Sequence, residues 1–192
     1  IYRSTDGGFT WTEHQLPTDI SGTADTWNAE EAQVGIDDEN NVHAMWLGAD
    51  NMPYYAFSRD EGDTWSDAMM IAPPADLVGT GFPVVTAGGE GRVAFGYLGD
   101  SGGDNWNGYL TILTDAFGEN PLFTTVQIND VGDPLDTTTD CGYNRCGGFG
   151  DFLDMGVDQH GRPWWSLSHN EGGDIGIFAT ITNGPSLRED IA

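Results

Sequence analysis

An all-β chain folded as a β-propeller is what this sequence predicts, and three observations carry the prediction. Helical periodicity is nearly absent. Short runs rich in Val, Ile, Tyr, Phe and Trp alternate with clusters of Gly, Asp, Asn and Pro, the pattern of short strands joined by turns. Two different segments recur at a spacing near 50 residues, about the length of a four-stranded propeller blade.

The elements follow in chain order. Residues 1–16 hold two strands, 1–4 and 13–16, the remnant of a blade. A complete blade is expected over 33–72, with strands at 33–36, 42–47, 54–57 and 68–71. A second is expected over 83–129, with strands at 84–87, 93–98, 109–113 and 124–128. An insertion, 130–151, precedes an incomplete blade over 152–182 with strands at 153–157, 163–168 and 176–181. A tail, 183–192, ends the chain. The total is about three and a half four-stranded blades in one partial propeller domain, 1–192. A propeller closes with at least about four blades, and an open arc leaves strand edges and blade faces uncovered. The chain, which begins in strand-like sequence at Ile1 without an initiator Met or signal peptide, therefore reads as a mature or truncated piece of a larger ring, or as an arc that a partner chain completes.

The first repeat is a strand, a tight acidic or glycine turn and a second strand. It runs Val34-Gly35-Ile36-Asp37 to Trp46, again Val85-Thr86-Ala87-Gly88 to Tyr97, and again Met155-Gly156-Val157-Asp158 to Leu167. The second repeat is sharper. Ser4, Asp6, Gly8, Thr10 and Trp11 match Ser58, Asp60, Gly62, Thr64 and Trp65 in the pattern S-x-D-x-G-x-T-W, 54 residues apart. Ser and Asp side chains can bond the amides of a turn, Gly supplies positive φ, and Trp can fold back over the turn and bury about 200 Å². A third copy, 114–118, is degenerate and a fourth, 182–184, has decayed. The pattern resembles the Asp box, or BNR repeat, of the sialidase-like β-propellers. That resemblance implies a ring of six or seven blades. It places the boxes between third and fourth strands, on the face opposite the ligand site, and gives both Asp residues a structural role.

Acidic residues number 31 and basic residues 6, all arginine, for a formal charge of −25. Such a polyanion lacks the cations that displace counterions from nucleic acid or anionic lipid, so neither is an expected partner. No apolar run reaches the roughly 18–20 residues of a membrane span. Seven Trp, nine Phe and six Tyr argue for a packed fold rather than a disordered chain. The lysine-free acidic composition resembles that of halophilic proteins and suggests a saline setting.

Cys141 and Cys146 could close a local disulfide, which would imply an oxidising, extracellular or cell-surface location. Free thiols and half a zinc site are the alternatives, but no further Cys or His has the spacing of zinc ligands. Asp130, Asp133, Asp136 and Asp140 leave calcium open, although they lack the spacing of an EF-hand loop. No cofactor is otherwise expected, and no metal site is assigned.

In the architecture that the resemblance implies, two sets of loops face the ligand side: 17–31, 72–83 and 130–151, and 48–53, 99–108 and 169–174. They carry the candidate ligand-binding residues Trp27, Asn28, Asp50, Asp104, Trp106, Tyr143, Arg145 and His169. Exposed Trp beside Asn and Asp suits sugars, because the ring stacks on a pyranose and polar groups take its hydroxyls; solvated loops anchored by Trp are the alternative. A sialidase would need an arginine triad, a Tyr–Glu nucleophile pair and an Asp acid/base. Tyr143, Arg145 and Asp151 are weak candidates for such roles, and the family's Arg-Ile-Pro motif is absent. The leading expectation is thus a non-catalytic extracellular module that binds glycan or protein ligands. A sialidase-like exo-glycosidase with catalytic residues partly outside this chain comes second, and a structural subunit of a surface layer or filament third.

Overall fold

A computed structural model describes residues 1–18, 32–103, 105–135, 153–169 and 175–188. Among them there is no helix, and thirteen strands form four antiparallel sheets of two, four, four and three strands. Sheet 1 pairs β1 (Tyr2–Arg3) with β2 (Thr12–Glu13). Sheet 2 contains β3 (Ala32–Ile36), β4 (Val42–Leu47), β5 (Pro53–Ser58) and β6 (Met69–Met70). Sheet 3 contains β7 (Gly79–Ala87), β8 (Val93–Asp100), β9 (Trp106–Leu113) and β10 (Thr124–Gln127). Sheet 4 contains β11 (Asp154–Val157), β12 (Pro163–His169) and β13 (Ile175–Thr180). Each sheet is a meander in chain order, consistent with part of a β-propeller.

Side-chain alternation stacks the sheets. Odd residues of β8, such as Phe95 and Tyr97, enter a core with Met45 and Tyr55 of sheet 2. Even residues, Ala94 and Leu98, enter a core with Met155, Trp165 and Leu167 of sheet 4. Ala44, Trp46 and Ala56 of sheet 2 pack with Leu16 and Ile1 beside sheet 1. Strands β4 and β8 are therefore buried on both faces. β12 is buried on one only, and Trp164 on its other face is 42% exposed.

The two S-x-D-x-G-x-T-W segments fold alike. Gly8 N donates to Ser4 Oγ (2.8 Å), Thr10 N to Asp6 Oδ1 (2.9 Å) and Thr10 Oγ1 to Asp6 Oδ2 (2.6 Å). Gly62 N donates to Ser58 Oγ (2.7 Å), Thr64 N to Asp60 Oδ1 (2.8 Å) and Thr64 Oγ1 to Asp60 Oδ2 (2.6 Å). Gly8 and Gly62 sit at φ 90° and 91°, where a Cβ would strain the turn. The tryptophans differ. Trp65 is half-buried against the Ile1 and Leu16 cluster, but Trp11 is 61% exposed. The expected burial of about 200 Å² fails for Trp11 because no described sheet precedes sheet 1.

Several strand bounds differ from expectation, most by one to three residues and one by more. β7 begins at Gly79, not at 84. The register shifts between Gly81 and Val84, where Phe82 (φ 54°) and Pro83 form a bulge. Proline has no amide to donate and reads as a strand boundary, but a bulge accommodates it. β8 and β9 reach Asp100 and Trp106, so the expected loop 99–108 shrinks to 101–105 and Trp106 is a strand residue, half-buried. Within the tail, Leu187 is fully buried between the turns of sheets 3 and 4.

Candidate functional site

The turns divide the strand ends into two edges. One carries the Asp6 and Asp60 turns, the tight turns after β3, β7 and β11, and Leu187. All five described arginines belong to this edge. Arg3 bonds the Asp60 and Glu61 carbonyls and pairs with Asp63 at 2.8 Å. Arg59 lies over the Phe117 ring at 4.6 Å, and Arg92 donates to the Ser186 carbonyl. Arg162 lies in the turn after β11, and Arg188 bonds the Asp158 carbonyl. The other edge carries the loops in which ligand residues are expected.

Of those residues, Trp27, Asn28, Asp104, Tyr143, Arg145 and Asp151 lie outside the described residues, as do Cys141, Cys146, Asp136 and Asp140. Asp50, Trp106 and His169 are described, and they fall into two places.

Trp106 and His169 are joined by the start of the insertion. Leu135 N donates to the Trp106 carbonyl (2.8 Å), and Asp133 Oδ2 lies 3.0 Å from His169 Nε2. Asn129 braces this segment, donating to Asn107 Oδ1 and to the Asp133 carbonyl, both at 2.8 Å. Among the described residues no three His, Cys, Asp or Glu side chains come together as metal ligands.

Asp50 lies instead in a cavity of about 370 Å³ at the end of sheet 2, lined by Pro17, Thr18, Trp46, Gly48, Asp50 and Tyr54 among others. Directly opposed positions on β4 and β5 place Trp46 against Tyr54, with ring centroids 6.2 Å apart and planes at 19°. The Tyr54 hydroxyl donates to Asp50 Oδ2 (2.8 Å) and Met52 N to Oδ1 (3.1 Å). The bond to Asp50, aided by burial, raises the Tyr54 phenol above its ordinary pKa. Tyr54 is thereby held protonated, as a donor rather than an activated nucleophile. A Cβ on Gly48 would lie 2.6 Å from the Tyr54 ring and 2.7 Å from Asp50 Oδ1, so only glycine lets both side chains settle on the loop. The arrangement offers the half-buried Tyr54 ring, stacked on the buried Trp46, beside an exposed carboxylate with lone pairs still free. It can bind; it presents no second acid or base within the described lining. Sequence reading identified Asp50 but did not single out Trp46, Gly48 and Tyr54, since the two aromatics fall inside the expected strands 42–47 and 54–57 rather than in a loop. The available signal was Trp46-Leu47-Gly48 against Tyr97-Leu98-Gly99 at the same place in successive blades.

No protein-family model matches the chain, and no curated protein matches it in sequence. Solved structures do. The intramolecular trans-sialidase of Ruminococcus gnavus, in complex with oseltamivir carboxylate, superposes with a TM-score of 0.52 at 14% identity, over 94% of this chain and 37% of that one. The leech intramolecular trans-sialidase, complexed with 2,7-anhydro-Neu5Ac, gives 0.53 at 16% identity, over 94% of this chain and 26% of that one. A polysaccharide lyase of family PL25, an ulvan lyase, gives 0.44 at 13% identity over 80% of this chain and 41% of that one. The fold is thus that of a partial sialidase-like β-propeller, and the chain spans about a third of the length of the first two structures.

Proposed function

We propose that this chain is part of an extracellular or cell-surface propeller that binds glycans without cleaving them, with the Trp46–Tyr54–Asp50 cavity as a contact point. The single observation behind this reading is the cavity's chemistry: a half-buried Tyr54 ring, stacked on the buried Trp46, beside a carboxylate that a phenol and a backbone amide hold in place. The Asp-box identity of the two tryptophan-ended turns belongs to the same reading, as do further blades or a partner chain that cover Trp11 and Trp164. In the test, the chain is titrated with an oligosaccharide panel alongside Tyr54→Ala. Removing the ring and hydroxyl should weaken binding about tenfold or more. Unchanged affinity moves the site elsewhere, and a panel without a single ligand rejects the glycan reading.

A sialidase-like exo-glycosidase is the second reading, favoured by the two trans-sialidase folds. It requires cationic residues for the substrate carboxylate, and the five described arginines lie on the opposite edge. Arg145 and chain beyond these residues would have to supply them. Release of a fluorophore from a sialoside by the protein would establish this reading over the first.

A further inference from the structure

The cavity at Asp50 has an internal counterpart. In sheet 3, Tyr97 and Tyr109 are directly opposed and stack at 5.7 Å and 24°, as Trp46 and Tyr54 do in sheet 2. Gly99 sits beside Tyr109 as Gly48 sits beside Tyr54. The two places have been put to different use. A Cβ on Gly99 would lie 2.6 Å from Leu77 Cδ1, because Leu77 from the connecting loop closes the sheet 3 copy, and Tyr97 and Tyr109 are buried in the core. In the sheet 2 copy Trp46 is buried likewise, at 2% exposure, but Tyr54 is only half-buried, Asp50 is exposed and bonded to it, and about 370 Å³ lies open among the described residues. One copy is packing; the other is a concavity with a positioned polar group, at the small end of the roughly 300–1,000 Å³ range of ligand sites.

We infer that this cavity takes a neutral pyranose, with adjacent hydroxyls donating to Asp50 and the ring against Tyr54, and that it turns away carboxylated sugars. The inference rests on the glycan reading above and narrows its ligand class. Each Asp50 oxygen already accepts one hydrogen bond, from Met52 N and from the Tyr54 hydroxyl. Each has a lone pair left, and two acceptors on one planar group match two neighbouring hydroxyls. No Lys, Arg or His lines the cavity among the described residues. A sugar carboxylate would therefore face Asp50 without a counter-charge, against a chain of net charge −25. An ammonium ligand fits less well. A cation cage turns several rings toward its centre, whereas Trp46 is 2% exposed and only the Tyr54 ring is left partly open.

The experiment is calorimetric titration of the chain with neutral gluco-, manno- and galacto-oligosaccharides, with sialyllactose and oligouronates, and with glucosamine oligomers, in 0.15 M and 2 M NaCl. Neutral sugars should bind, with affinity changing less than about twofold with salt, since a neutral ligand has no charge to screen. Asp50→Asn should weaken them about tenfold, the cost of exchanging a charged acceptor for a neutral one, and should narrow the gap to the carboxylated sugars. A second arm needs no variant: O-methylation of the adjacent hydroxyls should abolish binding. Preference for sialylated, uronate or amine-bearing sugars overturns this inference and leaves the glycan reading standing. Neutral-sugar binding that is indifferent to both Asp50→Asn and O-methylation also overturns it. Binding of no sugar in any class removes the glycan reading itself.

Discussion

Asp37 is 5% exposed, in the turn between β3 and β4. Burial alone would push its carboxyl toward the neutral form, yet its pKa lies below the ordinary carboxylate value. Donors from Gly91 N, from the Asn41 side chain and amide, and from His43 outweigh the loss of water. His43 is wholly buried, with Nε2 3.2 Å from Asp37 and Nδ1 2.7 Å from the Tyr55 hydroxyl. Burial lowers its pKa more than Asp37 raises it, so the ring is neutral, donating to Asp37 and accepting from Tyr55. The unfolded chain then binds a proton that the folded chain does not. Stability from this group is complete above the unfolded value near 6.5 and is lost as pH falls below it. Urea midpoints should fall from pH 7 to pH 5 in the native chain, and His43→Gln should flatten that interval. A second window lies lower. Hydrogen bonds from Thr10 and Ser4, and from Thr64 and Ser58, hold Asp6 and Asp60 at about 2. These depressed carboxyls stabilise the fold above about pH 4, and the contribution disappears toward pH 2; Asp60→Asn should remove part of that slope. An unaltered slope in either variant would assign the pH dependence to other groups.

Among the elements, the turns of the arginine-bearing edge hold successive sheets in step. Asp38 N donates to the Gly88 carbonyl, and Gly91 N to Asp37 Oδ2, across sheets 2 and 3. Between sheets 3 and 4 the tail intervenes: Gly89 N donates to the Leu187 carbonyl and Leu187 N to the Gly161 carbonyl. Gly88 passes so close that a Cβ would meet the Leu187 backbone. Leu187→Ala should cost about 2–5 kcal/mol, as large-to-small changes do in closed cores, measured by denaturant unfolding. A change under about 0.5 kcal/mol, the range of surface sites, would show that the strap does not hold the sheets. This contact was not legible in the sequence, because Leu187 stands among Gly, Pro, Ser and charged residues with no strand or helix periodicity around it. The four-sheet plan was legible, since strand and turn composition repeats at blade length and the two Trp-ended turns set its phase. The bulge at Phe82–Pro83 was not, because proline mimics a boundary. Of the edge opposite the arginines, Asp50 could be picked out by its loop, whereas Trp46 and Tyr54 come together only when β4 and β5 are paired. Trp106 was misplaced because Gly99 and Gly108 imitate loop ends, although both lie within strands.

For the whole molecule, charge and uncovered faces act together. Tyr2, Phe9 and Trp11 on sheet 1 and Trp164 on sheet 4 are exposed aromatics at the two ends of the stack, where further sheets would bury them. A formal charge of −25 opposes both compaction and the approach of a like-charged partner. Little offsets it among the described residues: Arg3–Asp63 and Arg59–Glu90 are ion pairs at the surface, each worth at most about 1 kcal/mol. Added salt should therefore raise the thermal midpoint, and its course identifies the cause. Simple screening is nearly complete once the Debye length falls to about 3 Å, near 1 M, so a midpoint that levels off there reflects relief of self-repulsion. A midpoint that climbs through 2–3 M NaCl reflects preferential hydration and cation association at the acidic surface, the behaviour expected of a protein adapted to brine. Scanning from 0.05 to 3 M NaCl, with glycerol at matched water activity as the uncharged control, separates the two. Equal stabilisation by glycerol would remove charge from the explanation, and a midpoint flat across the series would reject the saline setting altogether.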